Sequence, residues 1–167
     1  MYALFVFLHL QGLRFILGGI FCLIFLIVQA QQPLKFDRLV RSDGLSQSSV
    51  NCMLRDHEGF IWFGTQDGLN LYDGIKFRIF QNQPGDTTSL SNNYILSLCE
   101  DEEGYIWAGT MTGGLNRYDK HSESFINFQY SGTGNSISEN TVWTVLADGQ
   151  GSIWAGTSKG LNRYQKS

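Results

Sequence analysis

Trp143, Asn93 and Asn140 are the side chains of this 167-residue chain whose types suit the capture of a small polar molecule. An indole stacks on the apolar face of a sugar ring, and an asparagine carboxamide hydrogen-bonds to hydroxyls. Asn93 and Asn140 stand in two polar segments, residues 82–93 and 131–140, beside Asn92 and Glu139. Plainer roles compete for all three: the asparagines would cap the strand that follows, and Trp143 would fill space on an inner strand. Other chemistry is thin. His57 and His121 fall in turns at unrelated positions, and Asp101-Glu102-Glu103 reads as a solvated acidic turn. There is no Ser-His-Asp order, no HxxxH and no nucleotide-binding glycine pattern. No catalytic residue, metal ligand or cofactor is therefore expected. Cys52 and Cys99, with no CxxC and no matched spacing, read as buried free thiols.

The residues that must position these side chains recur. Trp62, Trp107 and Trp154 are spaced by 45 and 47 residues, a period at which repeats build propellers or solenoids. Leu45, Leu90 and Ile137 lie 17 residues before them, each followed by serine, and Val50, Ile95 and Val142 lie 12 before. Asp56, Asp101 and Asp148 lie six before, and Gly59, Gly104 and Gly151 three before. Gly-Thr, Gly-Leu-Asn and Tyr72, Tyr118 and Tyr164 follow, with one extra residue, Gly113 or Gly114, in the second copy.

Each unit divides into β-rich runs separated by turns. "VNCML", "ILSLC" and "VWTVL" end at Asp-x-x-Gly, where the carboxylate can accept backbone N–H bonds and glycine can take positive φ. "IW-x-GT", "LN-x-Y" and then "KFRIF" or "SFINFQ" complete four strands, a propeller blade. Glycine, Asp or Asn every few residues excludes helical repeats of similar length. The expected fold is all-β, an incomplete β-propeller of about two four-stranded blades and most of a third. Blade 1 covers 45–89, blade 2 covers 90–136, and blade 3, truncated, covers 137–167. Residues 31–44 form an N-terminal segment in which "KFDRLV" (35–40) resembles the fourth strand of a blade.

In such a scaffold the three tryptophans would each bury about 200 Å² between adjacent blades, and the tyrosines would seal blade edges. Trp143 differs, because Asn51 and Leu96 occupy its position in the other copies. A side chain the repeat does not demand is where function can reside.

The first 30 residues hold an apolar run, Phe15 to Val28, and end in Val28-Gln29-Ala30, a small-residue cleavage signal. A signal peptide 1–30 is expected, with a retained membrane anchor as the alternative. The remainder carries 11 basic and 15 acidic side chains once Arg14 is set aside, a net of −4. That balance lacks the basic stripe nucleic-acid binding requires.

The order Leu-Ser-x-x-x-Val, Asp-x-x-Gly-x-Ile-Trp-x-Gly-Thr and Gly-Leu-Asn-x-Tyr resembles the two-component regulator propeller repeat, over residues 34–167. The resemblance implies the N-terminal part of the periplasmic sensor region of a Bacteroidetes hybrid two-component system, a histidine kinase with further blades beyond this chain. It implies a periplasmic location and an oligosaccharide as ligand. A protein-interaction propeller and a propeller lyase are the alternatives, the latter requiring a histidine and acid pair at the channel mouth. Open blade faces imply self-association.

Overall fold

The computed structural model describes residues 34–165. The signal peptide or anchor expected at 1–30 lies outside the described residues. Two compact units are present, Met1–Arg38 and Leu39–Ser167. In the first, the described residues form no strand, and Leu34 and Phe36 are exposed. The blade-type strand expected at 35–40 is therefore corrected. "KFDRLV" has the composition of a fourth strand, but a strand persists only where a neighbour completes its ladder. No helix among the described residues is long and apolar enough to cross a membrane.

The second unit is all-β, a stack of propeller blades. Its first sheet runs β1 (Val50–Arg55), β2 (Ile61–Thr65), β3 (Gly68–Tyr72) and β4 (Phe77–Phe80), antiparallel and in sequence order. The second repeats this as β5 (Ile95–Glu100), β6 (Ile106–Thr110), β7 (Leu115–Asp119) and β8 (Ser124–Phe128). The third contains β9 (Val142–Ala147), β10 (Ser152–Thr157) and β11 (Gly160–Gln165).

The repeated polar residues close each sheet on itself. Asp56 Oδ1 accepts from Phe60 N at 2.9 Å and its Oδ2 from Trp62 Nε1 at 2.8 Å, with Gly59 at φ 94° completing the turn. Asp101 holds Tyr105 N and Trp107 Nε1 at 2.9 and 2.7 Å, and Asp148 holds Ser152 N and Trp154 Nε1 at 3.0 and 3.1 Å. One carboxylate thus satisfies a turn and orients an indole. The asparagines of Gly-Leu-Asn do a second job: Asn70, Asn116 and Asn162 each accept the backbone N–H of Ser46, Ser91 or Ser138 at 2.9 Å. This pins the segment entering the innermost strand onto the third strand.

Between sheets the contact is aromatic. Trp62 stacks on Phe80 of its own sheet at 5.8 Å and meets Tyr118 of the next at 5.6 Å. Trp107 stacks on Phe128 at 5.5 Å and meets Tyr164 at 5.2 Å. Leu69, Leu90, Ile95, Ile106 and Ala108 fill the first of these interfaces, and Leu115, Val142, Val145, Ile153 and Ala155 the second. Fully burying a Leu, Ile or Val side chain contributes about 1.5–3 kcal/mol.

Candidate functional site

The innermost strands β1, β5 and β9 each shift register once against their neighbour, between Val50 and Cys52, between Ile95 and Ser97, and opposite Gly156/Thr157. The unpaired residue is Asn51 in the first, Leu96 in the second and Trp143 in the third. These bulges occupy the position at which the repeats differ. A β-bulge re-aims its side chain out of the pleat, and bulges gather beside active sites. Asn51 uses the freedom to donate from Nδ2 to Ile95 O at 2.7 Å, tying one innermost strand to the next. Trp143 has no ring partner among the described residues, and half of its surface, 52 %, is open to solvent.

Trp143 sits near the start of β9, at the end of the stack where the β2–β3, β6–β7 and β10–β11 hairpins also lie. Polar groups pair there, some within a repeat and some from one sheet to the next. Gln66 Nε2 donates to Tyr94 Oη at 3.2 Å, Asn92 Nδ2 to Thr112 Oγ1 at 2.9 Å, and Thr141 Oγ1 to Met111 O at 2.8 Å. Ser158 Oγ donates to Glu139. The result is a rim of hydroxyls, amides and the Glu139 carboxylate at the same end as an exposed indole.

Asn93 and Asn140 take equivalent places in successive loops rather than converging on one point. Their carbonyls accept from Gly68 N and Gly114 N at 2.7 and 2.9 Å, and their Oδ1 atoms accept from Asn82 N and Tyr130 N, both at 2.7 Å. Asn93 Nδ2 also donates to Asp67 Oδ1 at 3.2 Å. Both carboxamides hold the loop between sheets. No hydrogen bond or ring contact joins them to Trp143 among the described residues.

The opposite end of the stack carries charge. Lys120 Nζ lies 2.8 Å from Asp56 Oδ2 and 3.3 Å from Glu100 Oε1, bridging the first two sheets. Burial opposes the charge of Asp56, but the bonds from Lys120 and Trp62 outweigh it and hold its pKa below the ordinary carboxylate value. Burial likewise opposes the Lys120 charge, and the bonds to Asp56 and Glu100 raise its pKa above the ordinary value. His57 is exposed but not alone, with Nδ1 2.6 Å from Glu100 Oε1. The sequence signals Lys120 only weakly, because Gly74 stands two residues after Tyr72 in the first copy.

Cys52 and Cys99 are free thiols in different sheets. Burial pushes their pKa values up to about 11 and about 12, which removes them as nucleophiles at neutral pH. Among the described residues no group of three His, Cys, Asp or Glu side chains could hold a metal ion.

Comparison with known proteins reaches the same scaffold. Residues 44–67, 89–112 and 136–159 match the two component regulator propeller. A stretch of 49 residues, 29% of this chain and 4% of the relative, is 55% identical to histidine kinase P4 of Formosa agariphila. The fold matches the extracellular domain of the hybrid two component system BT3049 from Bacteroides thetaiotaomicron with TM-score 0.67 and 27% identity, over 78% of this chain and 20% of that one. It matches the corresponding domain of BT4673 from the same organism with TM-score 0.61 and 28% identity, over 80% of this chain and 19% of that one. The chain spans a fifth or less of each of these relatives.

Proposed function

Because this chain is built from two-component regulator propeller repeats, we propose that it is the N-terminal part of the periplasmic sensor propeller of a hybrid two-component system. In this reading residues 1–30 direct export and are cleaved after Ala30, and the intact sensor region binds an oligosaccharide fragment and signals across the inner membrane to a kinase. The observation that carries the ligand reading is Trp143, an indole on the bulge of an innermost strand with 52 % of its surface open and a rim of hydrogen-bonding groups at the same end of the stack. An exposed ring next to hydroxyls and amides suits a sugar, which offers one apolar face and a girdle of hydroxyls.

Asn93 and Asn140 enter this reading as supports. Their Oδ1 atoms are already engaged by the loop backbone, so their contribution is to set the height of the rim rather than to contact the sugar first. That same engagement favours a second reading, a propeller that binds a protein partner through the rim with no small ligand.

Calorimetry of an intact sensor region containing this segment, against a panel of glycan fragments, separates the two. The sugar reading expects heat with one fragment class and its loss, by tenfold or more in affinity, in Trp143→Ala. No heat with any fragment, together with capture of a periplasmic protein that Trp143→Ala abolishes, overturns it in favour of the second. Mass spectrometry of the mature protein tests export, with an N-terminus at Gln31 expected.

A further inference from the structure

A polar triad lies beneath the β2–β3 hairpin and again beneath the β10–β11 hairpin. Ser46 Oγ and Thr65 Oγ1 are 2.9 Å apart, and Asn70 Nδ2 donates to Ser46 Oγ at 2.9 Å. Ser138 Oγ and Thr157 Oγ1 are 2.8 Å apart, and Asn162 Nδ2 donates to Ser138 Oγ at 3.0 Å. The second sheet has the same three residue types, Ser91, Thr110 and Asn116, but they do not close the triad. Its hairpin is one residue longer, with Met111, Thr112 and Gly113 between Thr110 and Gly114. Ser91 Oγ turns away and donates to Gly113 O at 2.8 Å. Asn116 Nδ2, on a side chain that is 0 % exposed, is left without a partner among the described residues.

The bond that holds the longer hairpin down thus leaves a buried donor unsatisfied. A rotation about χ1 of Ser91 exchanges the two conditions: its hydroxyl accepts from Asn116 Nδ2 and meets Thr110 Oγ1, as in the other sheets, and Gly113 O keeps only Gln129 Nε2, at 3.3 Å. Each arrangement satisfies a group that the other leaves wanting, so the two lie close in free energy. Glycine makes the present one possible, since a Cβ at Gly113 would come within 2.7 Å of Asn92 Cβ. The hairpin tip also touches the entries of two innermost strands. Met111 N donates to Tyr94 O at 3.0 Å and Asn92 Nδ2 to Thr112 Oγ1 at 2.9 Å, just before β5. Thr141 Oγ1 donates to Met111 O at 2.8 Å and Gly114 N to Asn140 O at 2.9 Å, just before β9.

We propose that the β6–β7 hairpin is a two-position element of the rim, with the Ser91 hydroxyl as its catch. In the held position Ser91 bonds Gly113 O. In the released position Ser91 returns to Thr110 and Asn116, and the tip lifts, taking Gly113 N off Thr110 Oγ1. Lifting the tip moves the segments that enter β5 and β9, and Trp143 follows Thr141 by two residues in the second of these. That a molecule bound at the rim selects one position rests on the sugar reading proposed above. The two positions themselves do not, and they are tested without any ligand.

Amide hydrogen exchange of the full chain reads the two positions. Gly113 N donates to Thr110 Oγ1 and Asp67 N to Thr65 Oγ1, both at 3.0 Å. Equal bonds give similar protection in rigid hairpins, so a hairpin that opens shows itself at Gly113 and not at Asp67. Gly113 is expected to be about tenfold less protected than Asp67. Deletion of Met111, which returns the hairpin to the length of the other two, is expected to bring Gly113 up to the level of Asp67. Ser91→Ala, which removes the catch, is expected to lower the protection of Gly113 about tenfold further and to leave Asp67 unchanged. Similar protection at the two amides of the wild type overturns the proposal. So does a Met111 deletion that leaves Gly113 as it was, or an effect of Ser91→Ala that is absent or falls equally on Asp67.

Discussion

Lys120, in the turn after β7, places its ammonium 2.8 Å from the fully buried carboxylate of Asp56, 64 positions earlier and one sheet away. The same carboxylate holds the indole of Trp62. A charge, a turn and the largest core side chain of the first sheet therefore depend on one contact. Lys120→Met is expected to lower stability by about 2–3 kcal/mol, because it leaves the carboxylate buried beside an apolar stem. Urea unfolding at pH 7 measures this, and a loss below 0.5 kcal/mol would contradict it.

The pair also sets a pH response. The folded pKa of Asp56 lies below its unfolded value, so its contribution is present above the unfolded pKa and fades as pH falls through the folded one. The folded pKa of Lys120 is raised, so its contribution is present below the unfolded pKa and is lost only as pH rises through the folded one. Stability is expected to decline from about pH 4 downward, and less steeply in Asp56→Asn. Parallel acid titrations of the two proteins would refute the assignment.

Trp107→Ala and Trp154→Ala remove the same side chain from the same repeat position with different expected costs. Trp107 is enclosed by Phe128 and Tyr164. Trp154 has Arg163 against one face and solvent beyond. Losses of about 3–5 kcal/mol for Trp107 and about half that for Trp154 are expected from denaturation of dilute protein. Equal losses would show that Trp154 is covered as Trp107 is.

Asn70 and Asn116 are both completely buried, yet only Asn70 is fully used. Its Nδ2 donates to Ser46 Oγ at 2.9 Å and lies within reach of Phe63 O and Gly68 O. Asn116 Nδ2 has no partner, because the extra hairpin residue draws Ser91 Oγ onto Gly113 O at 2.8 Å. Asn70→Ala is therefore expected to cost about 1 kcal/mol more than Asn116→Ala. Thermal melts of the two variants give the order, and a larger loss at Asn116 would contradict it.

Cys52 and Cys99, with thiol pKa values near 11 and 12, are expected to resist a maleimide at pH 7.5 in the folded protein and to react within minutes in 6 M guanidinium. Mass spectrometry after timed labelling reads this. Rapid modification of the native protein would place the thiols in a more open setting.

Much of this architecture is legible because the repeat repeats. The strand runs, the Asp-x-x-Gly turns and the identity of Trp143 as the side chain outside the pattern follow from comparing the chain with itself. What the comparison misses is whatever crosses between sheets or depends on a partner. Lys120 with Asp56 and His57 with Glu100 join residues 64 and 43 positions apart that hold different places in their repeats. The bulge at Asn51, Leu96 and Trp143 is an offset in pairing with no residue signature. "KFDRLV" shows the reverse case, a strand-like composition without a ladder to complete it. Asn93 and Asn140 carry side chains suited to a ligand, and the hydrogen bonds that occupy them come from loop backbone that no spacing rule specifies.

The aromatic interfaces give the chain a direction in time. Trp62 waits for Tyr118, 56 positions later, and Trp107 for Tyr164, 57 positions later. A polypeptide that emerges N-terminus first completes each sheet about one repeat before that sheet's indole is sealed. At every moment of synthesis one finished sheet faces water with an uncovered tryptophan, and the next to emerge is its lid. The nascent molecule thus grows as a queue in which each indole is sealed by its successor, and a pause in elongation leaves a single tryptophan of the series waiting for its tyrosine.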